Sequence, residues 1–194
     1  MLELKRDKAS KAHVIPCIIS YLNMSLGTVA LLISINHSPT NIKIASILIL
    51  MAGIMDKLDG LIARKTGATT IFGKELDSLC DLVSFGIAPV TVWWSINGGI
   101  LGIGEILISL FFIGGSVFRL ARFNVVNPKG YIVGLPITIA GMVMGGKHLL
   151  DINYRLAFID KSIINIENIV IMLALSLLMI SKFKIKKPSI IKEL

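Results

Sequence analysis

Four aspartates interrupt an otherwise apolar sequence. Asp56 and Asp59 are three residues apart in IASILILMAGIMDKLDGLIARK, and Asp77 and Asp81 are four apart in GKELDSLCDLVSFG. On a helix either spacing puts both carboxylates on one face, with Cβ atoms roughly 5–6 Å apart. A carboxylate at the centre of a membrane helix costs about 2.5–3.5 kcal/mol on insertion scales. Four in two neighbouring apolar segments therefore point to chemistry. Brought together, they would repel one another, and some would protonate unless cations intervened. An oxygen-only donor set suits Mg²⁺, Mn²⁺ or Ca²⁺. Two such ions commonly clamp a phosphate or diphosphate.

The residues between the two pairs suit a phosphate substrate. Gly60 follows Asp59 and lets a ligand approach the backbone closely. Ala63 is also small, and Arg64, one turn after Gly60, can reach phosphate oxygens. Gly67 and Gly73 make the junction to the next helix supple. Each feature has a plainer use: Gly60 and Ala63 as a helix-packing patch, and Arg64 and Lys65 as membrane-end anchors.

These residues must be positioned by membrane helices. The chain has 194 residues, 54% of them hydrophobic and 16% charged. Its mean hydropathy is +0.80, whereas a soluble domain carries about a quarter charged residues. This composition argues against a soluble enzyme, a disordered chain or a nucleic-acid-binding domain. The net charge of +8 suits anionic lipid headgroups before nucleic acid. Cys17 and Cys80 form neither a metal-ligand spacing nor a disulfide framework. Six apolar runs, at 14–35, 43–63, 76–97, 100–121, 131–150 and 164–181, approach the roughly 20 residues needed to cross about 30 Å of hydrocarbon. They are continuous, without the period-2 alternation of barrel strands. The expected fold is an all-α integral membrane protein of six transmembrane helices, forming a single domain over 1–194. Fifteen of the twenty basic residues fall on one side of this layout. They lie in an arm over 1–13, after the second and fourth spans, and in a tail over 182–194. The positive-inside rule places that side, both termini and the aspartates in or facing the cytoplasm. The arm suits either a short interfacial helix or a solvated segment. Short connections make the second and third spans antiparallel neighbours, so the two aspartate pairs meet at similar depth. Four buried aspartates would also serve a cation transporter, although Arg64 would not help a cation through.

The stretch from Asp56 to Asp81 matches D-x2-D-G-x2-A-R-x8-G-x3-D-x3-D at all eight fixed positions. It resembles the CDP-alcohol phosphotransferase family of membrane enzymes, and the six-span layout extends the resemblance over most of the chain. In that family a CDP-linked lipid or alcohol donates its phosphoryl-containing group to an acceptor hydroxyl, and CMP leaves. The resemblance implies two divalent cations, Mg²⁺ or Mn²⁺, held by Asp56, Asp59, Asp77 and Asp81, with Asp81 also the general base. It implies a CDP site of Asp56, Gly60, Ala63 and Arg64, with Ser20 and Gly73, and it suggests a homodimer. The segment from Pro16 to Gly27 is similar to the family's first span, P-N-x2-T-x2-N-x3-G. Here Cys17 and Ser20 stand in place of the usual Asn and Thr, and Asn23 and Gly27 are kept.

The run RLARFN, with Arg119, Arg122 and Asn124, followed by Gly134-Leu-Pro136, is similar to the serine-accepting branch of the family. That branch implies CDP-diacylglycerol and L-serine as substrates, within a bed of membrane lipids. A guanidinium fork matches the serine carboxylate, and the i, i+3 spacing of Arg119 and Arg122 lets both point towards the cytoplasmic site. A phosphorylated acceptor such as glycerol 3-phosphate or inositol phosphate would suit the same arginines.

Overall fold

The structure is a computed structural model describing residues 2–66, 70–100, 102–125, 131–155 and 158–186; within these, the side chains of residues 2–14, 59, 63–66, 132, 155, 185 and 186 lie outside the described set. Among the described residues, seven α-helices dominate. In chain order the elements are α1 (Leu2–Ser34), α2 (Pro39–Thr66), α3 (Ile71–Asp81), α4 (Ala88–Ile96), α5 (Ile103–Val125), β1 (Tyr131–Val133), α6 (Ile137–Leu150), α7 (Lys161–Ile180) and β2 (Lys184–Lys186). A π-helical turn, Leu82–Ile87, joins α3 to α4, so Ile71–Ile96 is one rod. A second π-helical turn, Asp151–Arg155, extends α6.

The burial pattern is that of a membrane bundle. Trp93, Phe85, Phe112, Ile49, Met144 and Met172 are fully buried, while Leu22, Val29, Ile54, Leu107, Phe118 and Val170 point outward. Lipid tails are as apolar as leucine, so helix contact relies on close packing and satisfied polar groups. Several serine hydroxyls inside the bundle are satisfied within their own helix: Ser46, Ser116 and Ser176 donate to the carbonyls four residues earlier. Four segments, Ile15–Ser34, Ile71–Ile96, Ile103–Val125 and Lys161–Ile180, are long and apolar enough to cross a membrane by length and composition.

Two expectations change. The basic stretch over 1–13 is helical from Leu2 and continuous with the first span, running through Pro16. It is not a separate arm or a separate short helix. The apolar run 131–150 is not one helix: it begins as β1, which pairs antiparallel with β2, Ile132 opposite Ile185. Gly134 then turns the chain at φ +72°, and Pro136 is the N-cap of α6. Hydropathy cannot register this break, because its residues are apolar or small. The break leaves α6 with 14 residues, about 21 Å at 1.5 Å per residue.

Two glycines of α6 pack inside the bundle. A Cβ on Gly141 would lie 2.5 Å from the Cβ of Phe85, and one on Gly145 would lie 3.1 Å from Cγ2 of Ile49. These glycines let α6 lie close against the π-helical turn and α2.

Candidate metal centre and substrate site

Helices α2 and α3 place the acidic side chains. Thr70 caps α3, its hydroxyl accepting from the Gly73 amide at 2.9 Å. The next turns of that helix carry Asp77 and Asp81 on one face. Asp56 sits on α2. One ligand oxygen from each of Asp56, Asp77 and Asp81 lies within 4.8 Å of the others. Asp81 is 5% exposed. The side chain of Asp59 lies outside the described residues, as do those of Ala63 and Arg64.

Other helices hold this cluster from three sides. From α1, Asn23 is fully buried and its Nδ2 donates to Asp81 Oδ1 at 3.1 Å. The Asn23 carbonyl accepts from Ser84 Oγ at 3.0 Å. The contact between α1 and the π-helical turn is so close that a Cβ on Gly27 would lie 2.6 Å from Ser84 Cα. From α6, Thr138 Oγ1 donates to Asp56 Oδ2 at 2.8 Å. From α5, the buried Arg119 guanidinium interacts electrostatically with Asp81, Asp56 and Asp77 and stacks over the Phe123 ring at 5.2 Å.

The other sequence-predicted residues have different surroundings. The Arg122 guanidinium is engaged with backbone carbonyls. Its Nη1 donates to the Ile180 carbonyl at 2.8 Å, and its Nη2 to those of Met179 and Val133 at 2.9 and 3.2 Å. The carbonyls at the end of α7 have no partners within the helix, and Arg122 supplies donors for two of them. Asn124 accepts from Ser78 Oγ at 3.2 Å and donates to Glu75 Oε2 at 3.0 Å, which ties the end of α5 to α3. Ser20 is buried, and its hydroxyl donates to the Pro16 carbonyl at 3.1 Å. Gly73 lies in the first turn of α3, where a Cβ would stand 3.0 Å from Thr70 Oγ1. Gly60 is half-buried on α2. Sequence reading gave no site role to Thr138 or Asn23. Their only signals were the GLP turn just before Thr138 and the N-x3-G pattern that contains Asn23.

Three converging carboxylates with no neutral or thiolate donor among them form a hard-oxygen set. That chemistry fits a divalent cation of the Mg²⁺ or Mn²⁺ kind.

A membrane bundle that gathers aspartates and an arginine at a helix junction has the chemistry an integral membrane enzyme acting on phosphate esters needs. More particularly, the CDP-alcohol phosphatidyltransferase family profile matches residues 13–191, and the chain belongs to that family. It is similar to the archaetidylserine synthase of Methanothermobacter thermautotrophicus, with 36% identity over 187 residues, covering 93% of this chain and 73% of the relative. It is similar to the CDP-diacylglycerol–serine O-phosphatidyltransferase of Methanocaldococcus jannaschii, with 34% identity over 169 residues, covering 87% and 72%. The enzyme of the same name from Bacillus subtilis is 35% identical over 133 residues, covering 68% of this chain and 73% of the relative.

Proposed function

We propose that this chain transfers a phosphatidyl group from CDP-diacylglycerol to the hydroxyl of L-serine, giving the serine phospholipid and CMP. The observation that carries this reading is the cluster of Asp56, Asp77 and Asp81 carboxylates, with the buried Arg119 guanidinium within electrostatic reach of them. One cation-binding cluster and one fixed positive charge suit a diphosphate donor and an acceptor bearing a carboxylate. The names of the similar proteins agree on serine and differ on the lipid, so a CDP-linked ether lipid is an equal candidate for the donor.

The serine oxygen attacks the lipid-bearing phosphorus in line. The new P–O bond forms as the bond to CMP breaks. Asp81 accepts the serine hydroxyl proton, and Asn23 holds the Asp81 oxygen that it contacts. Arg119 holds the serine carboxylate. Arg64, Gly60 and Ala63 border the diphosphate, with Ser20 and Gly73 at its edge. Asp56, Asp59, Asp77 and Asp81 would hold two divalent cations, Mg²⁺ or Mn²⁺, whose charge would offset that of the diphosphate and the leaving CMP. Between α1 and α2 lies a cavity of about 310 Å³, lined by Leu22, Leu26, Val29, Met51, Ile54 and Met55. Met55 adjoins Asp56 and Leu22 adjoins Asn23, so a lipid chain lying there would bring its phosphate to the carboxylates. The chain acts as a single domain of six spans in the cytoplasmic membrane, with both termini and the site facing the cytoplasm, and it works as a homodimer.

Purified in detergent with CDP-diacylglycerol, the protein should release CMP only when L-serine and Mg²⁺ or Mn²⁺ are both present. EDTA should stop release, and added metal should restore it. Full release in EDTA would remove the cation from the mechanism.

A further inference from the structure

Thr138 is the second residue of α6 and is buried against α2, 82 residues along the chain from its partner Asp56. Its hydroxyl takes up one lone pair of Asp56 Oδ2 and fixes the rotation of that carboxylate. The start of α6 is itself fastened. Gly134 N donates to the Phe183 carbonyl at 2.9 Å and Leu135 N to that of Leu178 at 3.1 Å. Gly134 admits no side chain, because a Cβ would lie 2.7 Å from both Arg122 Nη2 and the Met179 carbonyl. Arg122 joins the same knot, bridging the end of α7 to Val133 in β1. A continuous set of contacts therefore runs from the C-terminal ribbon, through Arg122 and the glycine turn, to Thr138 and then to a carboxylate of the metal cluster.

We infer that Thr138 is a positioning residue that aims the Asp56 carboxylate at its cation, and that Arg122 acts through it by locking the start of α6 rather than by touching the acceptor. The inference rests on the cation reading of the aspartate cluster and is independent of which acceptor is used. Groups that orient metal ligands are commonly worth about 10–100-fold in metal affinity.

The test measures Mn²⁺ binding to the purified full-length protein by electron paramagnetic resonance of the unbound ion, without substrates. Thr138→Val keeps the shape and removes the hydroxyl. It should raise the half-saturating Mn²⁺ concentration by about tenfold or more and leave the melting temperature in EDTA close to wild type. Thr138→Ser should bind within about twofold of wild type, a rescue that packing alone would not produce. If Thr138→Val does not fold, Thr138→Ala should show the same loss. Arg122→Lys cannot form the fork and should weaken Mn²⁺ binding in the same direction. Unchanged Mn²⁺ binding in a folded Thr138→Val or Thr138→Ala protein would overturn the inference. Unchanged binding in Arg122→Lys with a raised KM for serine would return Arg122 to the acceptor pocket. Wild-type protein that binds no Mn²⁺ would overturn the cation reading together with this inference.

Discussion

Asp56 and Asp81 are each held by a neighbour from another helix, and the site's substitutions have separable outcomes. Asp56→Asn, Asp59→Asn and Asp77→Asn should each lower CMP release to background without lowering the melting temperature, because they remove cation ligands. Asp81→Asn removes the proton acceptor, a role worth about 10²–10⁴-fold, so kcat should fall by that order. Arg119→Lys keeps the charge and loses the fork. It should raise the KM for serine by about tenfold, in line with the 1.5–3 kcal/mol of a charge-assisted hydrogen bond. The affinity for the CDP-lipid should stay near wild type. A serine KM unchanged in Arg119→Lys would leave the acceptor without its anchor. At this scale the sequence showed the aspartates, because i, i+3 and i, i+4 spacings are local. The hydrogen-bond partners Asn23 and Thr138 were not legible, because each reaches its carboxylate across 58 or 82 residues of chain. The contacts of Arg122 were not legible for a related reason. Spacing places it on the Arg119 face of α5, and only the fold shows that the end of α7 arrives to take its donors.

Among the elements, the π-helical turn Leu82–Ile87 follows Asp81 directly and packs against three helices. Glycine makes two of these approaches possible, Gly27 on α1 against Ser84 and Gly141 on α6 against Phe85. The third brings Gly86 to Ser116 on α5, where a Cβ would stand 3.5 Å from the Ser116 Cβ. A wider turn at this junction is where a bundle can seat a carboxylate without breaking its helix. Gly27→Val would force a methyl-bearing carbon into the Ser84 backbone. It should cost about 1–3 kcal/mol in stability, read as a lower melting temperature in detergent with activity lost in parallel. An unchanged melting temperature would mean that α1 does not lie so close. Helix positions were largely legible from apolar runs, since every expected span except 131–150 lies on a helical segment. The interruption at Gly134 and the continuity of α1 through Pro16 were not. Hydropathy averages over a turn made of apolar residues, and a proline in the sequence does not say whether a helix continues past it.

Across the whole molecule, the two ends of the bundle carry different polar chemistry. The end near α5's Arg119 holds the aspartates. About 14 residues earlier on the same helix, roughly 21 Å away, Glu105 accepts from Asn165 Nδ2 and from the Gly102 amide. Asn165 Oδ1 accepts in turn from Trp93 Nε1 at 3.0 Å and Asn97 Nδ2 at 2.9 Å. This part-buried network ties α5 and α7 to the end of α4. The bias of basic residues predicts the aspartate end on the cytoplasmic side. With Cys17→Ala and Cys80→Ala as background, Lys74→Cys should resist an impermeant thiol reagent in intact cells and react after permeabilisation. Labelling in intact cells would invert the orientation. Membrane residence followed from composition alone. The packing of the spans did not, because lipid-facing and helix-facing positions use the same apolar residues, and glycine contacts between α6 and its neighbours set their order.

Serine transfer is tested most directly by the product formed under competition. The purified protein would be given CDP-diacylglycerol and Mn²⁺ with equal concentrations of L-serine, glycerol 3-phosphate and inositol 1-phosphate. The lipids would be identified by mass spectrometry, and CMP would be quantified alongside. The expected result is phosphatidylserine alone, in amounts equal to the CMP released and absent in EDTA. Formation of phosphatidylglycerophosphate or phosphatidylinositol phosphate, with no phosphatidylserine, would contradict the reading of Arg119 as a serine anchor and reassign the acceptor.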